Sequence, residues 1–400
     1  MRRADVLTFF LFSLFTMAIQ PRQQNVVEFV NVRHEFIFGE ELTISGSIKS
    51  PLPVTEAVLF LKPQSEDTQS FQLTPGKTGK VELIYDLSKK PLRAFTPVEY
   101  WFEVKTADGQ PNSSAVYSFV YEDNRFDWQH LESDAYSLAW SSGGPDFGTE
   151  LQNAAADGLA AAQGILAVKV PSPIRIMVYP SSQDMQSAAQ LTESPWAAGH
   201  TNPDLGLVMI SVAPGPDARA EMERQLPHEI MHILEYQVAG TAYNQIPVWL
   251  LEGLASSAEL YPNPEYQRVL EKAIDEDSLL PMSVLCQDFP RDLSGAVLAY
   301  AQSSSFVRFL NDNFGSRDTL TLLNLYADGL NCEVGVQAAF GSSLTQLETR
   351  WQQEMLGRSP ASAAWKQLWP YILLAGLVLV PVSLTLIPAR RKTQPTREVR

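Results

Sequence analysis

The chain has 400 residues with 45% hydrophobic, 19% charged and 10% aromatic content, which fits a folded protein and excludes a wholly disordered, collagenous or polytopic membrane chain. Its formal net charge of -15 argues against a surface that tracks a phosphate backbone, so no nucleic-acid partner is expected. Only two cysteines, Cys286 and Cys332, exclude a disulfide scaffold or a cysteine-rich zinc module, leaving one disulfide or two free thiols.

Arg2 and Arg3 precede an apolar run from Val6 to Ile19, with the small residues Thr16 and Ala18 near its end. This pattern predicts a secretory signal over residues 1–20, with an uncleaved anchor as the alternative. From Val26 to Tyr121 short runs alternate in polarity, including Leu42-Thr43-Ile44, Val58 to Leu61, Val81 to Tyr85, Val98 to Val104 and Val116 to Tyr121. Turn signals at Ser50-Pro51, Pro75-Gly76 and Asp108-Gly109 separate them, which predicts an immunoglobulin- or fibronectin-like β-sandwich over residues 22–123. His34 reads as a surface or strand-edge residue, and Asn112-Ser113-Ser114 is a glycosylation sequon.

Beyond Asp123 the pattern turns mainly helical, so the fold class expected is α+β. Thr149 to Ile165 and Ser182 to Leu191 predict helices, and Ile174 to Tyr179 and Leu207 to Val212 predict strands. Ser294 to Asn313 predicts a long helix stopped at Gly315, and Ser343 with Gln346 forms a capping box that opens a last helix through Trp351. Residues 357–367 read as a stalk. No charged residue occurs from Gln367 to Ala389, and Arg390-Arg391-Lys392 follows. That predicts one transmembrane helix over residues 368–388 and a cytoplasmic tail over 389–400, with the bulk of the chain outside. An oxidising exterior makes a Cys286–Cys332 bridge plausible.

The chemistry concentrates in a helix pair. His228-Glu229-Ile230-Met231-His232 is an HExxH motif within a helix-compatible run from Ala218 to Tyr236, where Pro227 marks a kink or a helix start. Residues four apart share a helix face, so both imidazoles can reach one ion, with Glu229 beside it as a general base. Nineteen residues separate His232 from Glu252, enough for the chain to end a helix near Gly240 and fold back. Glu252 lies amid Trp249, Leu250, Leu251 and Leu254, where a buried carboxylate needs a cation, so it is the expected third ligand of one Zn2+ per chain. Glu259 is expected on the same helix face, orienting a ligating histidine.

His228-Glu229-x-x-His232 followed by Trp249-Leu250-x-Glu252-Gly253-x-Ala255-x-x-x-Glu259 resembles the gluzincin metallopeptidases, thermolysin-like and aminopeptidase-like enzymes among them, and most of all the bacterial families grouped as peptidase MA-like. The resemblance spans about Ala135 to Trp351 and implies a peptidase domain over residues 135–356. It implies zinc ligation by His228, His232 and Glu252, catalysis by Glu229, and a Tyr or His that stabilises the oxyanion. Tyr300 is the candidate for that role and His200 a weaker one. It also likens the strand Leu207 to Val212 to the edge strand that receives an extended peptide. No Gly-x-Met-Glu-Asn exopeptidase motif precedes the zinc site. The function implied is membrane-anchored peptide hydrolysis, with peptide or protein substrates and a protein partner for the β-sandwich. A catalytically silent metal-binding or adhesion module is the alternative.

Overall fold

The computed structural model describes residues 26–170, 173–190, 199–290, 292–357, 368–375 and 377. The expected signal, nearly all of the stalk, the cytoplasmic tail, and residues 376 and 378–388 of the expected membrane span lie outside them. No helix among the described residues is long and apolar enough to cross a membrane. The described residues fall into two compact units, one from residues 26–92 and 96–122, the other from residues 93–95 and those from 123 onward.

Among the described residues the first unit holds eight strands, β1 (Glu28–Ile37), β2 (Glu41–Lys49), β3 (Val54–Pro63), β4 (Gln69–Leu73), β5 (Lys80–Asp86), β6 (Thr96–Thr106), β7 (Pro111–Ser113) and β8 (Tyr117–Tyr121). They form one sheet ordered β1-β2-β5 and another ordered β4-β3-β6-β7, with β8 also pairing β6. Strand β6 shows why: Val98, Tyr100, Phe102 and Val104 are buried, while the intervening Glu99, Glu103 and Lys105 face water. Leu42 and Ile44 of one sheet and Leu59 and Leu61 of the other complete this core.

His34 is half-buried on β1, the edge strand of its sheet, in keeping with a strand-edge residue. Its ring stacks on Phe119 at 4.4 Å between centroids, and Nδ1 lies 3.3 Å from the Tyr100 hydroxyl. The alternation of β1 turns this position inward.

The second unit is built on a five-stranded sheet. Its strands are β9 (Gln129–Glu132), β10 (Tyr136–Trp140), β11 (Ile174–Tyr179), β12 (Gly199–Asn202) and β13 (Leu207–Ser211), ordered β12-β13-β11-β10-β9. The central three strands run parallel, and the two outer ones are antiparallel to their neighbours. Every residue of β13 is buried, because it sits between two strands with apolar side chains on both faces. Thus Leu207 to Val212 does not supply the exposed edge expected of it. Strand β12 does, and its chain contains too few apolar residues to announce a strand.

Helices α1 (Pro145–Ile165), α2 (Ser182–Ala189), α3 (Ala218–Ala239), α4 (Val248–Ala258), α5 (Pro264–Asp275), α6 (Met282–Leu285), α7 (Leu293–Phe314), α8 (Ser316–Ala327), α9 (Cys332–Phe340) and α10 (Leu344–Glu354) pack with this sheet. Gly240 and Gly315 stop α3 and α7 with positive φ, a conformation without steric cost for glycine. The capping box between Ser343 and Gln346 opens α10. Cys286 and Cys332 form a disulfide, with Cα atoms 5.9 Å apart, tying the end of α6 to the start of α9. The buried Trp249 indole donates to Cys332 Sγ at 3.4 Å, so the bridge also meets the first turn of α4.

Burial pushes the His34 imidazole below its ordinary value. The folded state therefore holds the neutral ring, and the unfolded chain binds more protons at mildly acidic pH. The stability contributed by neutral His34 is complete above the unfolded pKa and is lost as pH falls through the folded one. An NMR titration is expected to place the His34 midpoint below that of a free histidine, and His34→Phe is expected to flatten the loss of thermal stability between about pH 7 and pH 5.

Candidate metal centre

Helix α3 runs through Pro227 without starting there, and Ala218 is its first residue. Proline lacks the N–H that would bond the carbonyl four residues back, so the Glu223 carbonyl has no partner in its own helix. Instead it accepts the Leu260 N–H at 2.9 Å, just beyond the end of α4. Pro227 also lies against Gly158 of α1, where a Cβ would come within 3.1 Å of the proline nitrogen. The discordant proline of the motif thereby frees the carbonyl to which the end of α4 is fastened.

This fastening brings three side chains together. One potential ligand atom from each of His228, His232 and Glu252 lies within 4.8 Å of the others. Glu252 Oε2 is 3.4 Å from His228 Nε2 and 3.8 Å from His232 Nε2. That oxygen is buried and makes no hydrogen bond. A buried carboxylate oxygen without a donor is costly unless a cation takes its place. Two imidazole nitrogens and one carboxylate oxygen are the donor set of a catalytic zinc site, so these residues fit the metal.

The outer nitrogens of both imidazoles face carboxylates. Glu259 Oε1 lies 3.2 Å from His228 Nδ1, and its other oxygen accepts the Asn263 N–H at 3.2 Å. Glu259 is not on the helix as expected. It stands at the C-cap of α4 with a non-helical backbone, because the chain must leave the helix there to reach Glu223. Glu235, which sequence reading missed, lies 2.8 Å from His232 Nδ1 and is wholly buried. Its position one turn after His232 was the available signal: a carboxylate on the inner face of a helix full of buried apolar residues. Tyr243, in the 3₁₀ segment Gly240–Gln245, also reaches His232 Nδ1, at 3.2 Å, and nothing in its sequence setting marks it.

Burial by itself disfavours both imidazolium ions, yet the charges around them prevail. The Glu252, Glu259 and Glu229 carboxylates hold His228 well above its ordinary value, and Glu235 and Glu252 raise His232. Burial pushes Glu252 up, and the two histidines outweigh it and bring it below the ordinary range. A metal that takes the nitrogen lone pairs therefore displaces protons, which couples binding to pH.

Glu229 is buried beside the cluster, and its Oε2 accepts the Thr201 hydroxyl of β12 at 2.6 Å. Tyr300 of α7 lies with its ring 6.5 Å from that of His228. The Glu252 charge, followed by burial, raises its phenol well above the ordinary value, so the O–H is retained as a donor. His200 is half-buried on β12, within electrostatic reach of Glu229 and His232, and burial lowers its imidazole. The structure thus gathers all six residues singled out from the sequence, and His200 with them.

The fold and site define an α+β unit in which an HExxH helix, a returning helix that brings Glu252 to its two histidines, and an edge strand over Glu229 come together. The model of the peptidase MA superfamily matches residues 154–357, and the chain belongs to that superfamily. The second unit is accordingly a peptidase-like domain. No match is found among curated proteins. Similar solved structures include an aminopeptidase N family protein from Idiomarina loihiensis, 9% identical, covering 85% of this chain and 75% of that one with a TM-score of 0.36. A carbohydrate-binding module of family 56 that binds β-1,3-glucan is 15% identical and covers 23% of this chain and 98% of its own, with a TM-score of 0.17. At these scores the likenesses establish neither fold nor function.

Two substitutions probe the supports of the site. A Cβ on Gly253, next to Glu252, would lie 2.7 Å from the Ser303 carbonyl oxygen of α7. Gly253→Ala is expected to push α4 off α7, cost about 1–3 kcal/mol in thermal unfolding and weaken zinc binding. Glu235→Gln keeps the volume but removes the charge behind His232. It is expected to weaken zinc affinity roughly 10–100-fold in a chelator competition while leaving the far-ultraviolet circular dichroism unchanged.

Proposed function

We propose that this chain is a zinc-dependent metallopeptidase of gluzincin type that hydrolyses peptide or protein substrates outside the cytoplasm. The observation that carries the reading is the His228–His232–Glu252 donor set with its buried, orphaned carboxylate oxygen and an intact Glu229 alongside. Zinc, when bound there, supplies Lewis acidity to water and to a substrate carbonyl. Glu229 takes the proton from the attacking water and delivers it to the leaving amine. The retained Tyr300 hydroxyl donates to the oxyanion that develops on the substrate. Glu259 and Glu235 hold the two imidazoles with their inner nitrogens facing Glu252.

The uncharged run from Gln367 to Ala389 and the basic residues after it support an anchor of one C-terminal membrane helix with a short cytoplasmic tail. The apolar run after Arg2 and Arg3 supports export of everything between. In this reading the N-terminal unit is an immunoglobulin- or fibronectin-like module that presents a surface to a protein partner.

Zinc content of the purified chain and turnover of a mixed peptide library test the proposal together. The wild type is expected to hold about one zinc and cleave peptides, Glu252→Ala to lose the metal, and Glu229→Gln to keep it while losing at least about 100-fold in turnover. Absence of zinc after reconstitution would sink the peptidase reading. Zinc without turnover in the wild type would point to a silent binding module.

A further inference from the structure

We propose that Thr201 is a positioning residue for the general base, holding the Glu229 carboxylate on edge strand β12. The inference rests on the peptidase reading, in which Glu229 is that base. The Thr201 hydroxyl donates to Glu229 Oε2 at 2.6 Å and lies 3.1 Å from the Glu229 backbone oxygen. One threonine thus meets both the side chain and the main chain of the residue that follows the first ligating histidine.

Gly199, two residues earlier, faces the same side of the strand, because side chains alternate along it. A Cβ at Gly199 would lie 2.4 Å from Glu229 Oε1 and 2.9 Å from Cγ. The carboxylate is therefore seated between the bare Cα of Gly199 and the hydroxyl of Thr201. Pairing fixes that seat: Gly199 stands opposite Ile210 and Thr201 opposite Val208, on the fully buried strand β13.

The arrangement matters because a glutamate side chain has several rotatable bonds, and helix α3 restrains only its Cα. A hydrogen bond from a neutral hydroxyl to an ionised carboxylate is short and strong, and removes much of that freedom. It also divides the labour of the two oxygens, since Oε2 is engaged by Thr201 and Oε1 is left to receive a proton. Displacing a reacting group by about 1 Å can cost about 100-fold in rate. Thr201 touches neither substrate nor metal in this scheme and acts through Glu229 alone.

Thr201→Val removes the hydroxyl at nearly constant volume, and Thr201→Ser keeps it. Gly199→Ala presses on the carboxylate from the other side. Each variant is compared with the wild type for zinc content, melting temperature, kcat, KM and the crystallographic position of Glu229. Thr201→Val is expected to keep its zinc, melting temperature and KM, lose roughly 10–100-fold in kcat and show Glu229 displaced from the strand. Serine is expected to restore kcat to within about threefold and the carboxylate to its seat, and Gly199→Ala to lower kcat without loss of zinc. An unmoved Glu229 and wild-type kcat in Thr201→Val would overturn the proposal. So would a loss of zinc or of folding that serine does not rescue, because Thr201 would then serve the fold alone. If the zinc-loaded wild type cleaves no peptide, the peptidase reading fails separately, and the position of Glu229 in the Val and Ser variants still decides whether Thr201 holds it.

Discussion

The buried carboxylate of Glu252 is the constraint around which the second unit is arranged. An acidic group removed from water requires compensating charge, and the two imidazoles 3.4 and 3.8 Å away supply the geometry for a shared cation. Holding it there demands that α4 approach α3 and α7 closely. Pro227 contributes by releasing the Glu223 carbonyl to Leu260, and Gly253 by letting the Ser303 backbone come within what would be a clash for any side chain. Trp249, one turn ahead of Glu252, is anchored by the disulfide through Cys332. The helix that carries Glu252 is thus fastened at its start, middle and end.

A second layer of acids determines how the histidines are presented. Glu259 and Glu235 occupy the two Nδ1 positions, which leaves both Nε2 atoms directed at Glu252. Four glutamates in one buried site are mutually repulsive unless histidines and a cation offset them. The same charge density keeps Tyr300 protonated, so the residue nearest to an oxyanion role is maintained as a donor. The sheet contributes differently. Its rigid buried strand β13 carries the short edge strand β12, and β12 meets Glu229 from the side opposite its own helix.

Much of this was legible in the sequence because it depends on local spacing. Strands β2, β3, β5, β6 and β8 follow from alternation, α7 from its period and terminal glycine, α10 from its capping box, and the HExxH helix from its own pattern. The ligand candidacies of His228, His232 and Glu252 rested on helix geometry and on the cost of burying an acid among apolar residues. Other elements were opaque for physical reasons. Strand β12, Gly-His-Thr-Asn, has no apolar alternation, since an edge strand needs only one partner and one covered face.

By itself, then, the sequence determined which residue types stand four apart on one helix and which acid follows at the distance of a folded-back chain. It also determined where helices cap and stop, because those signals act within a few residues. Only the tertiary structure decided that β12 rather than β13 forms the edge, that Glu259 leaves α4 before it meets His228, and that Glu235, Tyr243 and Thr201 converge on the site. Each of these depends on groups far apart in the chain being packed to within hydrogen-bonding distance, and local spacing carries no record of such contacts.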